Sequence, residues 1–265
     1  IIVCLIRTYC KTMYFLLQTQ LLPVIRKGQL EAVDMYTGDR YTQHSTGVRD
    51  GADGFKEFFM GFLKRTKIRD IQIIRGIEDD NYVFVHAYQD IDNGVAKWIT
   101  TDLFDMDSED KTVEHWDSIA AYKAPSETAS GNDMVLGNFE LKDLDKTEEN
   151  KALIRNYIVD VFQNGNLNYL NKYISTEGLI QHNPLIDNGV DAFSEYITEH
   201  KVYYNFVFNV IGQGDHVVSL SKVTIDRKEH CVFDIYRMKN GKIVEHWDNI
   251  EEISPREEWV NTGKF

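Results

Sequence analysis

The chain has little cysteine, little proline and no basic run. Cys4, Cys10 and Cys231 are the three cysteines among 265 residues. Spaced so far apart, they exclude a disulfide framework and a four-cysteine zinc site, and reduced thiols in a cytoplasmic chain are the expectation. Lys and Arg number 29 against 42 Asp and Glu, a formal charge of −13. An acidic surface repels phosphate backbones, so nucleic acid is not an expected partner. No uncharged apolar run reaches the roughly 20 residues of a membrane span. The most apolar stretch, IIVCLIRTYCKTMYFLLQTQLL at 1–22, is interrupted by Arg7 and Lys11. Ile1–Ile6 matches what a trimmed targeting segment would leave, and no membrane partner is expected. No HExxH or similar ligand spacing is present, and GQGD at 212–215 is too short for a phosphate loop. Neither a metal nor a cofactor is called for.

What is present is a word used twice. VEHWD occurs at 113–117 and again at 244–248. Upstream of each lies a second matching block, YTQHSTGVRDGADGFKEFF at 41–59 and LIQHNPLIDNGVDAFSEYI at 179–197. Gln43 matches Gln181, His44 matches His182, Gly51 matches Gly189 and Phe55 matches Phe193. Two collinear blocks in the same order indicate an internal repeat. The reading is one domain over 1–124, a linker over 125–144 rich in Ser, Thr and Gly, and a second domain over 145–265.

The second copy gives the plainer pattern. Leu153, Ile154, Tyr157, Ile158, Val161 and Phe162 fall at helical spacing. A short helix at LNYLNKYI, a brief strand at LIQH and a helix at DAFSEYITEH follow. Four strand-like runs come after them, the last two joined by Asn240-Gly241, which suits a type I′ hairpin. Helices followed by a run of antiparallel strands make an α+β domain with helices on one face of a curved sheet. In the first copy, the apolar residues before Pro23 align with the long first helix, and Pro23 should kink or end it.

QHNP, a glycine before an amphipathic helix, and FDIYRMKNGKIVEHWD together resemble the SnoaL-like branch of the nuclear transport factor 2-like superfamily. The resemblance covers nearly all of 147–253 and, more weakly, 9–122. It implies two cone-shaped domains, each a curved antiparallel sheet wrapped around about three helices with a pocket at the open end. The family includes polyketide cyclases, and related folds include ketosteroid isomerase, scytalone dehydratase and limonene epoxide hydrolase. Others only bind or dimerise, so the fold does not fix the function. Single domains of the superfamily commonly pair through their sheets. An intrachain pseudo-dimer is therefore implied, with a homo-oligomer as a further option.

Uninterrupted pairing from the Asn-Gly turn would place Asp234, Tyr236, Glu245 and Trp247 on one face, and Arg237, His246 and Asp248 on the other. A bulge would reverse part of this. The first group is assigned to the pocket, in line with the acid that the resemblance places there on the matching strand. Asp234 and His182 are the candidate catalytic pair, with Tyr236, Glu245, Trp247 and Asn183 lining the pocket. A carboxylate and an imidazole suffice for proton abstraction beside a carbonyl. His44, Asp102, Phe104, Glu114 and Trp116 are the first-copy equivalents. Ser45 and Thr46 replace Asn183 and Pro184 there, so the second copy reads as the more complete site. The expected function is a cofactor-independent lyase or isomerase acting on a small hydrophobic carbonyl compound. A non-catalytic ligand-binding or dimerisation module is the alternative, and a polypeptide adaptor like nuclear transport factor 2 itself is a third reading.

Overall fold

The computed structural model describes residues 22–265. Ile1–Ile6, Cys4, Cys10 and most of the expected first helix of the first copy lie outside the described residues. No helix among the described residues is long and apolar enough to cross a membrane.

The described residues divide into two compact units, one of 22–121 with 254–265, the other of 122–253. The linker expected at 125–144 therefore packs into the second unit, and the segment after the second copy's last strand packs into the first.

In the first unit, α1 (Leu22–Lys27) and α2 (Glu31–Tyr36) lead into β1 (Thr37–Gln43) and α3 (Gly51–Arg65). The strands β2 (Arg69–Asp79), β3 (Tyr82–Ile91), β4 (Ala96–Met106) and β5 (Thr112–Ala121) follow. The second unit repeats the plan with α4 (Thr147–Tyr157), a π-helical turn at Ile158–Gln163, α5 (Leu170–Tyr173), β6 (Ile180–Gln181) and α6 (Val190–Glu199). It ends with β7 (Tyr203–Gln213), β8 (His216–Ile225), β9 (Lys228–Lys239) and β10 (Lys242–Glu252). The sheet orders, β1-β5-β4-β3-β2 and β6-β10-β9-β8-β7, are the same permutation. Each sheet is an antiparallel meander with one short strand added in parallel at its end. The structure thus shows two α+β units of the expected kind.

In the second unit Ile154, Tyr157, Ile158, Val161 and Phe162 are all buried, so the helical spacing read from the sequence is the core face of α4 and its π-helical continuation. They meet Tyr204, Val217, Val223, Val232 and Tyr236 from the sheet. In the first unit Phe59 and Phe62 of α3 pack with Val24, Val33, Ile71 and Ala87. Register shifts in β2 and β7 bend those strands, as bulges do, and let the sheet curve around its helices.

One bulge decides the site. Lys242 opposes Lys239 and Ile243 opposes Met238, as an Asn-Gly hairpin requires. Glu245 then opposes Arg237, His246 opposes Tyr236, Trp247 opposes Ile235 and Asp248 opposes Asp234, because Val244 is extra. The first unit has the same bulge: Met106 opposes Thr112, while Asp105 opposes Glu114, leaving Val113 extra. The face assignment made from uninterrupted pairing is corrected accordingly. Val is the bulged residue of VEHWD, His and the second acid face inward, and Glu and Trp face outward.

Candidate functional site

On the inner face of the second unit, Asp234 is 2% exposed and Tyr236 is buried. Their companions are His246 and Asp248. His246 Nε2 lies 3.0 Å from Asp234 Oδ1, and its ring stacks on Tyr236. Tyr204 Oη and Ser219 Oγ donate to Asp234 Oδ2 at 2.9 and 3.2 Å. Asn183 Nδ2 donates to Asp248 Oδ2 at 2.7 Å, which joins Asn183 to this cluster.

The hydrogen on His246 can be placed by its neighbours. Gln181 Oε1 accepts from the backbone N–H groups of His182 and Asn183, so the amide oxygen, not its nitrogen, faces the ring. His246 Nδ1, 3.1 Å from that oxygen, must then be the donor. Nε2 then faces Asp234 Oδ1. The first unit repeats this: Gln43 Oε1 accepts from Ser45 N–H and from His115 Nδ1, and His115 Nε2 stands 3.1 Å from Asp102 Oδ1. Phe104 stacks on His115, as Tyr236 does on His246.

The other expected site residues form a second cluster. His182 stacks on Trp247 with ring centroids 4.5 Å apart, and its Nε2 lies 3.0 Å from Glu245 Oε1. Arg237 donates to Glu245 Oε2 at 2.6 Å. Trp247 Nε1 donates to the Leu136 carbonyl, and His182 Nδ1 meets the Asp133 carbonyl. His44, Glu114, Trp116 and Arg40 repeat the set in the first unit, with the Gly263 carbonyl facing His44 Nδ1. The expected pairing of His182 with Asp234 is thus corrected: His182, Glu245 and Trp247 hold a loop segment from outside the sheet. Gly137 shows how closely that segment lies. A Cβ there would fall 2.4 Å from the Trp247 ring and 2.5 Å from Glu245 Oε1, and its φ of 141° also favours glycine.

The two interiors differ in room. Phe162, Phe193, Tyr204, Asp234, His246 and Asp248 are among the residues around a void of about 20 Å³ in the second unit, enough for about one water. The first unit has a partly open cavity of about 260 Å³, lined by Asp102, His115 and Asp117 together with Phe55, Phe58, Phe59, Phe62 and Trp98. The sheet registers explain part of this. Tyr204 opposes Val223, and at the matching place Ile71 opposes Gln89. The tyrosine that fills the second interior and bonds its acid is an isoleucine in the first.

Electrostatics separates the carboxylates. Burial pushes Asp102 up, against the hydrogen bond and charge of His115. Burial also pushes Asp117 up, but Lys264, His115 and Ser45 outweigh it and hold this acid below the usual range. In the second unit burial pushes Asp248 up to about 6, with Asp234 adding to it and His246 and Asn183 opposing it. Asp234, His246 and Asp248 bring ligand atoms within 4.8 Å of one another, the spacing of a cation site among the described residues. Asp234 is already engaged by Tyr204, Ser219 and His246 there.

The inward His and Asp of each word, the glutamines that orient the histidines, and Lys264 were not assigned to the site from sequence. The repeated H and D of VEHWD and the paired Gln43 and Gln181 were the available signals.

No family model and no curated protein matches the chain. Among solved structures it is similar to an NTF2-like protein of unknown function from Cytophaga hutchinsonii, at 13% identity over 38% of this chain and 89% of that one, with a TM-score of 0.34. It is also similar to a provisionally assigned polyketide cyclase from Acidithiobacillus ferrooxidans, at 16% identity over 42% and 90% of the chains, TM-score 0.38. A provisionally assigned ketosteroid isomerase from Kribbella flavida gives 14% identity over 42% and 83%, TM-score 0.37. Each match covers about two fifths of this chain.

Proposed function

We propose that the first unit is an acid/base site for a small, mostly apolar carbonyl compound, of the isomerase, dehydratase or cyclase type. The observation that supports this most is the cavity of about 260 Å³ with Asp102, His115 and Asp117 on an otherwise aromatic wall. An apolar cavity of roughly 150 Å³ admits benzene, so this one takes a larger body. Two carboxyls pushed in opposite directions in one cavity suit an acid and a base. Asp117, held ionised, would take the proton from carbon beside the carbonyl. Asp102 and His115, sharing a proton, would stabilise the oxygen as charge gathers on it. No cofactor is required for that step.

The second unit supports the non-catalytic reading. Its void holds about one water, and Asp234 is engaged by Tyr204, Ser219 and His246. Its role in this account is structural.

The test is hydrogen–deuterium exchange beside the carbonyl. The protein is incubated in D2O with a panel of cyclic ketones and β-diketones, and deuterium uptake is read by NMR. Uptake should fall by about 10²–10⁴-fold in Asp117→Asn and in His115→Ala, the usual range for a positioned acid or base, and persist in Asp234→Asn. Uptake that survives Asp117→Asn but not Asp234→Asn would move the site to the second unit. Absence of uptake with every compound would remove the enzymatic reading.

A further inference from the structure

The segment 254–265 follows the last strand of the second copy, yet belongs to the first unit. Its attachment is specific. Asn261 Nδ2 lies within 2.9 Å of the carbonyl oxygens of Gln43, Ser45 and Val48. The Gly263 carbonyl faces His44 Nδ1 at 2.8 Å. The next residue, Lys264, is 3% exposed, and its Nζ donates to Asp117 Oδ1 at 3.2 Å. In the second unit the linker takes the same place. Asn132 Nδ2 donates to the Gln181 carbonyl, and the Asp133 carbonyl faces His182 Nδ1. The next residue there is Met134, also buried. Lys264 brings an ammonium to Asp117, whereas the sulfur of Met134 accepts from the Lys123 backbone N–H at 3.1 Å.

A lysine at this depth is rarely tolerated without a paired acid. Asp117 lines the cavity, whereas Lys264 is not among the residues on its wall. We propose that Lys264 is a positioning residue for the first unit's site: it stands behind Asp117 and keeps that carboxylate ionised and aimed at the cavity. The segment after the second copy's last strand thereby completes the site of the first copy. This rests on the reading of Asp117 as the base. Other described groups around Asp117 include His115 on its own strand, Asp102 on β4, Tyr41 on β1 and Ser45 in the following loop, with Arg65 of α3 lining the same cavity. Among these, Asp102 opposes ionisation, Tyr41 stays neutral because burial and the two acids raise it, and His115 is shared with Asp102. Lys264 brings a fixed positive charge directly to Asp117.

The experiment uses the full chain. The Asp117 carboxyl is followed by 13C NMR across pH, its signal assigned by loss in Asp117→Asn. Lys264→Met removes the charge while keeping an unbranched side chain and should raise the Asp117 midpoint by roughly one to three pH units, the usual effect of an opposite charge at this range. Lys264→Arg should restore most of the shift. The acid limb of the deuterium-uptake profile should move up with it in Lys264→Met and return in Lys264→Arg. In the unaltered protein, the Lys264 15Nζ signal should titrate with the same midpoint as Asp117, which needs no variant to fold. An unchanged Asp117 midpoint in folded Lys264→Met, or no shared midpoint in the unaltered protein, overturns the proposal. A shifted midpoint with no uptake from any compound would leave Lys264 as the partner of Asp117 and remove only the enzymatic reading.

Discussion

Asp117 and Asp248 close the two copies of one word, and their surroundings give them opposite signs. Burial acts on both, but Asp117 has Lys264 within 3.2 Å while Asp248 has the amide of Asn183. Asp248, raised from 3.8 to about 6, binds its proton more tightly in the folded protein than in the unfolded chain. The stability tied to it is complete below about pH 4 and is lost as pH rises through 6. Asp248→Asn should therefore match the parent near pH 4 and exceed it by up to about 3 kcal/mol at pH 7 to 8. Asp117 is lowered, so its contribution is present above its unfolded value and is lost as acid protonates the folded carboxylate. Asp117→Asn should weaken the protein at pH 7, because buried Lys264 loses the carboxylate it donates to. Urea denaturation across pH checks both. A pH-independent difference for Asp248→Asn would mean that this acid does not titrate in the range.

At the scale of elements, the repeat, the helix faces and the first two pairs of the Asn-Gly hairpin were legible, because spacing and turn chemistry are local properties. The faces of β5 and β10 were not, since a bulge is set by how a strand must curve against its partner, and Val113 and Val244 carry no mark that distinguishes them from regular strand valines. One extra residue reverses every side chain beyond it. Asp234, Tyr236 and Asn183 thus lie at the inner cluster, while Glu245, Trp247 and His182 lie on the outer face. The difference in room was also hidden, because it depends on single positions such as Ile71 on β2 and its match Tyr204 on β7. That comparison gives a direct test. Ile71→Tyr should fill the first cavity as Tyr204 fills the second, bringing a hydroxyl toward Asp102. Deuterium uptake should fall by about 100-fold or more, the scale of a lost positioned group, with no loss of thermal stability, since the added ring occupies existing space. Undiminished uptake in the folded variant would place the reaction elsewhere.

At the scale of the whole chain, the repeated units share a scaffold and differ in the room inside it. Each carries the outer His–Glu–Trp set, and each uses it to hold a segment that follows the last strand of a copy: 254–265 in the first unit, the linker in the second. If that arrangement matters to the first site, weakening the segment should loosen one unit selectively. Asn261→Ala removes the amide that serves the carbonyls of Gln43, Ser45 and Val48. Stranded carbonyls of this kind cost roughly 1–3 kcal/mol where water cannot replace the donor. Backbone hydrogen exchange over 43–50 should accelerate, and deuterium uptake beside the carbonyl should fall, because Lys264 loses its anchor three residues away. The matching loop at 181–188 is held by Asn132, which donates to Gln181 and Asn188. Its exchange should stay at the parent rate in Asn261→Ala and accelerate in Asn132→Ala, without loss of uptake. Equal loosening of both loops by either change would mean that the segments do not act on their units separately, and the division of labour between the copies would have to be abandoned.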